Sequence, residues 1–386
     1  MKRSRIIAAL GIALALLCAA VGAAAQDAVQ VYVSEGALGN AAAAQMMQRL
    51  AAWYPDAAWE QTQGGEDLRA LVLGDHAPQL AICSPGEARR WAAEGLLLPL
   101  QTRIGGQHRI QRQVLDACVM DEWLFMAPLL AKHRQMAVNV GLFEQAHLEY
   151  MLSRGEYPVW YPAQMQQIVE EFSFSDVTAF EIWPPEKDGA ALEALVQAIY
   201  GGSFISGDGG RWQLDSREIV QGVGWLRDLL ECGVIAMAQS REDALARFVR
   251  GETAMFIDWN EATAAQQKDA LAQSGAEIAA VPYPSAEGIP VRSYELVGVC
   301  VFDSGEESRN ALALQAAQRL YEAAQTLPGS RGMAQDGSIW LACLSAHEQG
   351  ATVRTLFAQA LGSVLAGEAD AREALALAQA ALDVMQ

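Results

Sequence analysis

Short apolar strands and amphipathic helices alternate from Val29 onward, and that alternation leaves few folds open to this chain. Val29-Gln30-Val31-Tyr32-Val33 reads as a strand that enters Ser34-Glu35-Gly36, after which Ala41 to Trp53 carries Ala, Met and Leu at helical spacing. Leu68 to Leu73 reads as the end of a helix closed by Gly74. Gln79 to Cys83 is a strand stopped by Ser84-Pro85-Gly86, and Glu87 to Glu94 is helical again up to Gly95. Strand-helix units of this length predict an α/β chain with a parallel sheet covered by helices on both faces. In such a sheet the loops after the carboxyl ends of the strands form the ligand crevice, which singles out Glu35 and Ser84.

Further along, Trp123 to Ala127 and Gln135 to Asn139 read as strands that lead into a second lobe, and Val140 to Gln145 starts a helix. Ala190 to Tyr200, Ser216 to Leu230 and Arg241 to Arg250 show apolar residues three and four apart, the spacing of helices, with Asp215-Ser216 as a cap for the second of them. Ala254 to Trp259 is then a strand ending on a polar, aromatic edge. Glu277 to Pro282 and Glu295 to Phe302 are strands joined by a loop rich in Pro, Gly and Ser, and they predict a return to the first lobe. Glu306 to Gln325 is one long helix; a loop centred on Gly337-Ser338-Ile339-Trp340 and two helical stretches complete the chain. We expect lobe 1 to comprise residues 26–134 plus 286–335, and a helix-rich lobe 2 to comprise 135–285 plus 336–386.

The first 25 residues stand apart. Lys2, Arg3 and Arg5 precede an uncharged run from Ile6 to Ala25, and Ala23 and Ala25 place small side chains before a polar exit at Gln26-Asp27. That order is the signature of a signal peptide cleaved after Ala25, and it predicts an exported protein in the periplasm or on the outer face of the cell membrane. Cys18 follows the bulky Leu17, which argues against its lipidation. Without the leader, 24 basic side chains face 46 acidic ones, a net charge of −22. Such a surface repels phosphate backbones, so nucleic acid and anionic membrane are poor partners.

The remaining cysteines, Cys83, Cys118, Cys232, Cys300 and Cys343, are odd in number and show no Cys-x-x-Cys spacing. They indicate neither a metal site nor a disulfide framework, and a pairing such as Cys83 with Cys118 stays open. Roughly 360 residues after the leader exceed what one core organises, which agrees with two lobes.

Several segments together resemble the extracellular solute-binding proteins of ABC importers, in particular the sugar-binding group that includes the maltodextrin-binding proteins. They are Leu71 to Leu100 with its closing Glu94-Gly95-Leu96-Leu97-Leu98-Pro99-Leu100; Ala137-Val138-Asn139-Val140-Gly141-Leu142-Phe143; Trp212-Gln213-Leu214-Asp215-Ser216; and Phe248-Val249-Arg250-Gly251-Glu252-Thr253-Ala254-Met255. Val364-Leu365-Ala366-Gly367 with Ala374 to Gln379 resembles the family's closing helix. The resemblance implies a periplasmic-binding-protein-like fold of two discontinuous α/β lobes, joined by a hinge with the ligand cleft between them. It also implies capture of a small solute by lobe closure and delivery to ABC transporter permease subunits, with no cofactor, and we expect a monomer. Phe172 to Trp183 departs from the family pattern.

A sugar pocket needs flat aromatic rings and fixed hydrogen-bonding groups. Trp259 with Asp258 and Asn260 offers both at one loop; Trp340, and Tyr294 with Glu295, are further candidates beside Glu35 and Ser84. Trp160 after Pro158 reads as core, and Glu181 and Trp183 read as part of an exposed loop. The chain lacks a Gly-x-Ser-x-Gly elbow, a His-Glu-x-x-His zinc motif and a phosphate loop, so an enzyme is not expected. Two alternatives remain: paired carboxylates of a secreted carbohydrate-active enzyme, or, given the acids at Glu35, Asp258 and Glu295, a site for a polyamine or other cation.

Overall fold

A computed structural model describes residues 29–34, 40–63, 77–101, 104, 110, 112–152, 158–185, 189–206, 211–325, 339–342, 344 and 349–385. The expected helix at Leu68 to Leu73, and Glu35 and Cys343, lie outside these. In chain order the elements begin β1 (Val29–Val33), α1 (Asn40–Trp53), β2 (Trp59–Gln63), β3 (Leu80–Cys83), α2 (Pro85–Ala93), α3 (Arg112–Ala117), β4 (Val119–Met120), β5 (Trp123–Leu124), β6 (Ala127–Asn139) and α4 (Val140–Gln145). They continue with α5 (Pro162–Phe172), β7 (Thr178–Ile182), α6 (Ala190–Tyr200), α7 (Arg217–Glu231), β8 (Ala236–Met237), α8 (Arg241–Val249), β9 (Thr253–Trp259) and α9 (Glu261–Ser274). Then follow β10 (Ile278–Val281), β11 (Val291–Val301), α10 (Glu307–Ala324), β12 (Ile339–Ala342), α11 (Gly350–Leu365) and α12 (Ala371–Asp383).

The chain divides into two compact units. The first takes the described residues of Met1–His108, Val114–Leu130 and Val297–Arg331; the second takes those of Arg109–Gln113, Ala131–Leu296 and Gly332–Gln386. The boundaries at 130/131 and 296/297 fall inside β6 and β11, where the sequence had suggested changes near 134 and 286. The two strands expected at Trp123 to Ala127 and Gln135 to Asn139 are the short β5 and the continuous β6.

In the first unit β1 pairs in parallel with β2 and with β3, and the C-terminal half of β11 closes on β3 antiparallel, with Val299 opposite Ile82. Every residue of β3 is buried, as the near-continuous apolar run of a central strand requires. Trp91 of α2 fixes the helix against this sheet, meeting Tyr32 edge-on at 6.0 Å and Phe302 at 5.2 Å.

The second unit is built round β9, whose seven residues are all buried. It lies antiparallel to β6 and parallel to β7; β10 extends the sheet beyond β6 and β8 beyond β7. Gly251, at a φ of 76°, turns the end of α8 into β9, a backbone state that costs glycine little. Helix α6 is buried along its length from Ala190 to Ile199, and its Glu193 is paired by Arg354 of α11 at 2.8 Å. Trp160 is core: it stacks on Phe143 at 6.0 Å and donates its indole N–H to the Met151 carbonyl.

Two expectations need correction, and one open pairing is resolved. Glu181 and Trp183 are not in an exposed loop, since β7 is a buried strand and both side chains are buried with it. Ile339 and Trp340 belong to β12, which pairs in parallel with the N-terminal half of β11. Cys83 faces Cys300 rather than pairing with Cys118; the two thiol sulfurs are 3.6 Å apart across β3 and β11.

Candidate functional site

Within the second unit, three chain ends meet where β9 finishes. Asp258 and Trp259 close the strand, Arg241 opens α8, and Asn260 caps α9. Asn260 Oδ1 accepts the Thr263 amide at 2.9 Å and the Thr263 hydroxyl at 3.2 Å, so an amide in front of an acid and an apolar stretch does here what an N-cap residue does elsewhere. The neighbouring Asp258 is only 2 % exposed. A buried carboxylate needs charge and hydrogen-bond compensation; Asp258 has opposite charge on both sides and a hydrogen bond on one. Arg241 Nε bonds to Oδ2, while Arg134 Nε, from β6, lies 2.9 Å from Oδ1.

Each arginine has further anchors. Arg241 also donates to the Asp258 carbonyl at 3.2 Å and to the Thr263 hydroxyl at 3.3 Å, and its guanidinium sits 5.6 Å from the centre of the Phe256 ring. Arg134 reaches across to β11, where its Nη2 lies 3.4 Å from Glu295 Oε2. Among the described residues these ion pairs join two guanidiniums to two carboxylates, equal in number. A third acid lies deeper along the sheet. Glu181 of β7 takes an Arg247 contact of 2.8 Å on one oxygen, while its buried Oε2 has no hydrogen-bond partner, and burial raises its pKa against the opposing pull of Arg247.

The structure therefore redistributes the residues that the sequence singled out. Asp258 is ion-paired with two arginines; its Oδ2 takes the Arg241 hydrogen bond, while its buried Oδ1, facing Arg134, has no hydrogen-bond partner. Trp259 is buried and packs edge-on against Phe248 at 5.9 Å, so its ring serves the core because β9 is covered on both faces. Tyr294 is buried as well. Asn260 is half-buried and Glu295 keeps a quarter of its side chain exposed. Trp340 stands opposite Arg292 in the β11–β12 pairing. Ser84, in the first unit, is a helix cap: its hydroxyl accepts the Glu87 amide and donates to Glu87 Oε2, which also takes the Ser84 amide. Arg134 and Arg241 are the residues that sequence reasoning missed. The acids and the indole stood together in one motif, but their cationic partners come from other elements and leave no local trace. Among the described residues no group of His, Cys, Asp and Glu is placed to hold a metal ion, and no helix is long and apolar enough to cross a membrane.

The fold has many solved counterparts. The sugar-binding protein MalE from Xanthomonas citri superposes with a TM-score of 0.72 at 13 % identity, covering 92 % of this chain and 96 % of its own. The cyclic alpha-maltosyl-1,6-maltose binding protein from Arthrobacter globiformis gives a TM-score of 0.68 at 19 % identity, covering 92 % and 98 %. UgpB from Mycobacterium tuberculosis, solved with glycerophosphocholine, gives 0.69 at 15 % identity, covering 92 % and 98 %. At these identities the likeness establishes the fold, an α/β fold of the periplasmic-binding-protein kind. No curated protein sequence matches the chain. The sequence pattern of the bacterial extracellular solute-binding proteins, however, matches residues 41–298, most of both units, and the chain belongs to that family.

Proposed function

We propose that this protein is an extracytoplasmic receptor that captures a neutral, polyhydroxylated solute, a sugar or oligosaccharide, and delivers it to the permease of an ABC transporter without chemical change. Family membership supports capture and transport, and two of the fold relatives are described as binding sugars. Export follows from Lys2 to Ala25, and hinge closure on the solute is the switching mode of this architecture.

The observation that favours a neutral solute over a polyamine is the paired charge at the end of β9. Asp258 and Glu295 motivated the cationic alternative, and Arg134 stands against both of them, with Arg241 on the first. A site already balanced internally gains little from an ammonium group, whereas hydroxyls can share the Asn260 amide and the exposed part of Glu295 without adding charge. Trp340 remains a proposed contributor and is the first to test by substitution.

Thermal denaturation in the presence of maltodextrins, disaccharides and polyamines tests the reading. A ligand at a hundred times its Kd adds about 2.7 kcal/mol to the native state, which raises the midpoint of a chain of roughly 360 residues by about 3–4 °C. We expect oligosaccharides to give such a rise, unchanged by salt, and polyamines to give none. Sustained release of cleaved product would instead identify a carbohydrate-active enzyme.

A further inference from the structure

Resting on the reading that the end of β9 belongs to the solute site, we infer that Arg134 is the specificity-determining residue of that site: it is a built-in counter-ion that occupies the place a cationic solute would take. The geometry singles out Arg134 rather than Arg241. Arg241 is fastened to its own surroundings by the Asp258 main chain, Thr263 and the Phe256 face, all within the β9 to α9 region. Arg134 instead bridges two carboxylates on different strands, Asp258 of β9 at 2.9 Å and Glu295 of β11 at 3.4 Å. Its side chain is 15 % exposed and that of Glu295 is 25 % exposed, so the bridge is partly open to solvent.

Truncating Arg134 would leave Arg241 as the partner of Asp258 and strand Glu295 beside it, one net negative charge in a half-buried position with the volume of a guanidinium vacated between two carboxylates. Such a charge is costly to leave uncompensated. The planar, five-donor fork of a guanidinium is the group that matches two acceptors held by rigid strands. The class of ligand that the native residue excludes, and that its removal would admit, is therefore a small guanidinium or diamine. In this family a ligand class would then change through a residue on β6, away from the loop that carries Trp259.

The experiment uses agmatine and putrescine as probes, with thermal denaturation and calorimetric titration of the full chain at low and high salt. Arg134→Gln is expected to lose stability on its own and to bind agmatine at least about tenfold more tightly than the native protein, an affinity that high salt abolishes. Arg134→Gln combined with Glu295→Gln is expected to lose that gain, which a merely structural role for Arg134 would not produce. If Arg134→Gln does not fold, agmatine present during refolding is expected to restore the native circular dichroism. The inference is overturned if the native protein binds agmatine as tightly as the variant, if folded Arg134→Gln gains nothing, if the double variant keeps the gain, or if an unfolded Arg134→Gln is not rescued. Oligosaccharide binding by the native protein reads the proposed function separately, so either idea can fail while the other stands.

Discussion

Glu181 carries a charge where the surrounding sheet offers it little. Burial raises its pKa and Arg247, half exposed, only partly offsets that. A carboxyl with a folded pKa above its unfolded value binds more protons in the native state between the two values, so stability falls as pH rises through that window. Glu181→Gln has no such titration. We expect its stability relative to the native protein to improve from acid pH upward and to level off above the folded pKa, as urea unfolding at a series of pH values would report. Asp258 shows the same limit of reading from the other side. Its acidity beside Trp259 was plain in the sequence and suggested an acceptor for solute; its burial and its two guanidinium partners were not, because those partners are contributed by β6 and α8.

Helix α12 is fastened through one polar side chain. Gln379 accepts the Leu214 amide at 2.8 Å and donates to the Trp212 carbonyl at 3.0 Å, closing two main-chain groups of a buried segment. Gln379→Ala leaves both without that partner, which costs about 1–3 kcal/mol; a lower urea midpoint with an unchanged slope is the expected result. Elements with a strong apolar period, such as β1, α6, β9 and α10, were legible in the sequence to within a residue or two. The others were hidden for physical reasons. Strand β2, Trp-Glu-Gln-Thr-Gln, is polar and is held on β1 by its main-chain ladder and a Gln30–Glu60 side-chain hydrogen bond, so it has no apolar period to read. Lys132, His133 and Arg134 interrupt the apolar pattern of β6 although the strand runs through them. Strand β7 contains Glu181, a charge that argues against a buried strand until Arg247 is known to face it. Helix α9 buries little beyond Thr263, so it has no apolar face to read.

At the scale of the molecule, each unit is assembled from separated stretches of chain, and the first receives its last strand late. Cys83 and Cys300 report on that step, since both thiols are fully buried when β11 lies on β3, and burial pushes the Cys83 thiol far above its usual pKa. In the native protein a thiol reagent is expected to modify the exposed Cys232 quickly and to leave Cys83, Cys118 and Cys300 untouched. During refolding, pulses of the same reagent followed by peptide mapping are expected to find Cys83 and Cys300 becoming protected together. Protection of Cys83 well before Cys300 would show that β3 is covered without β11.

The sequence separation of 217 between those two cysteines has a further consequence for how the protein is made. A chain that emerges from a membrane channel amino end first presents β3 with its edge open, and no later strand can close it until Gly298 to Val301 has come through. Loop closure over such a span is slow, and an unpaired apolar edge invites pairing with another chain. If the chain is exported amino end first, a pause before residue 298 would leave the β3 edge open for as long as the pause lasts.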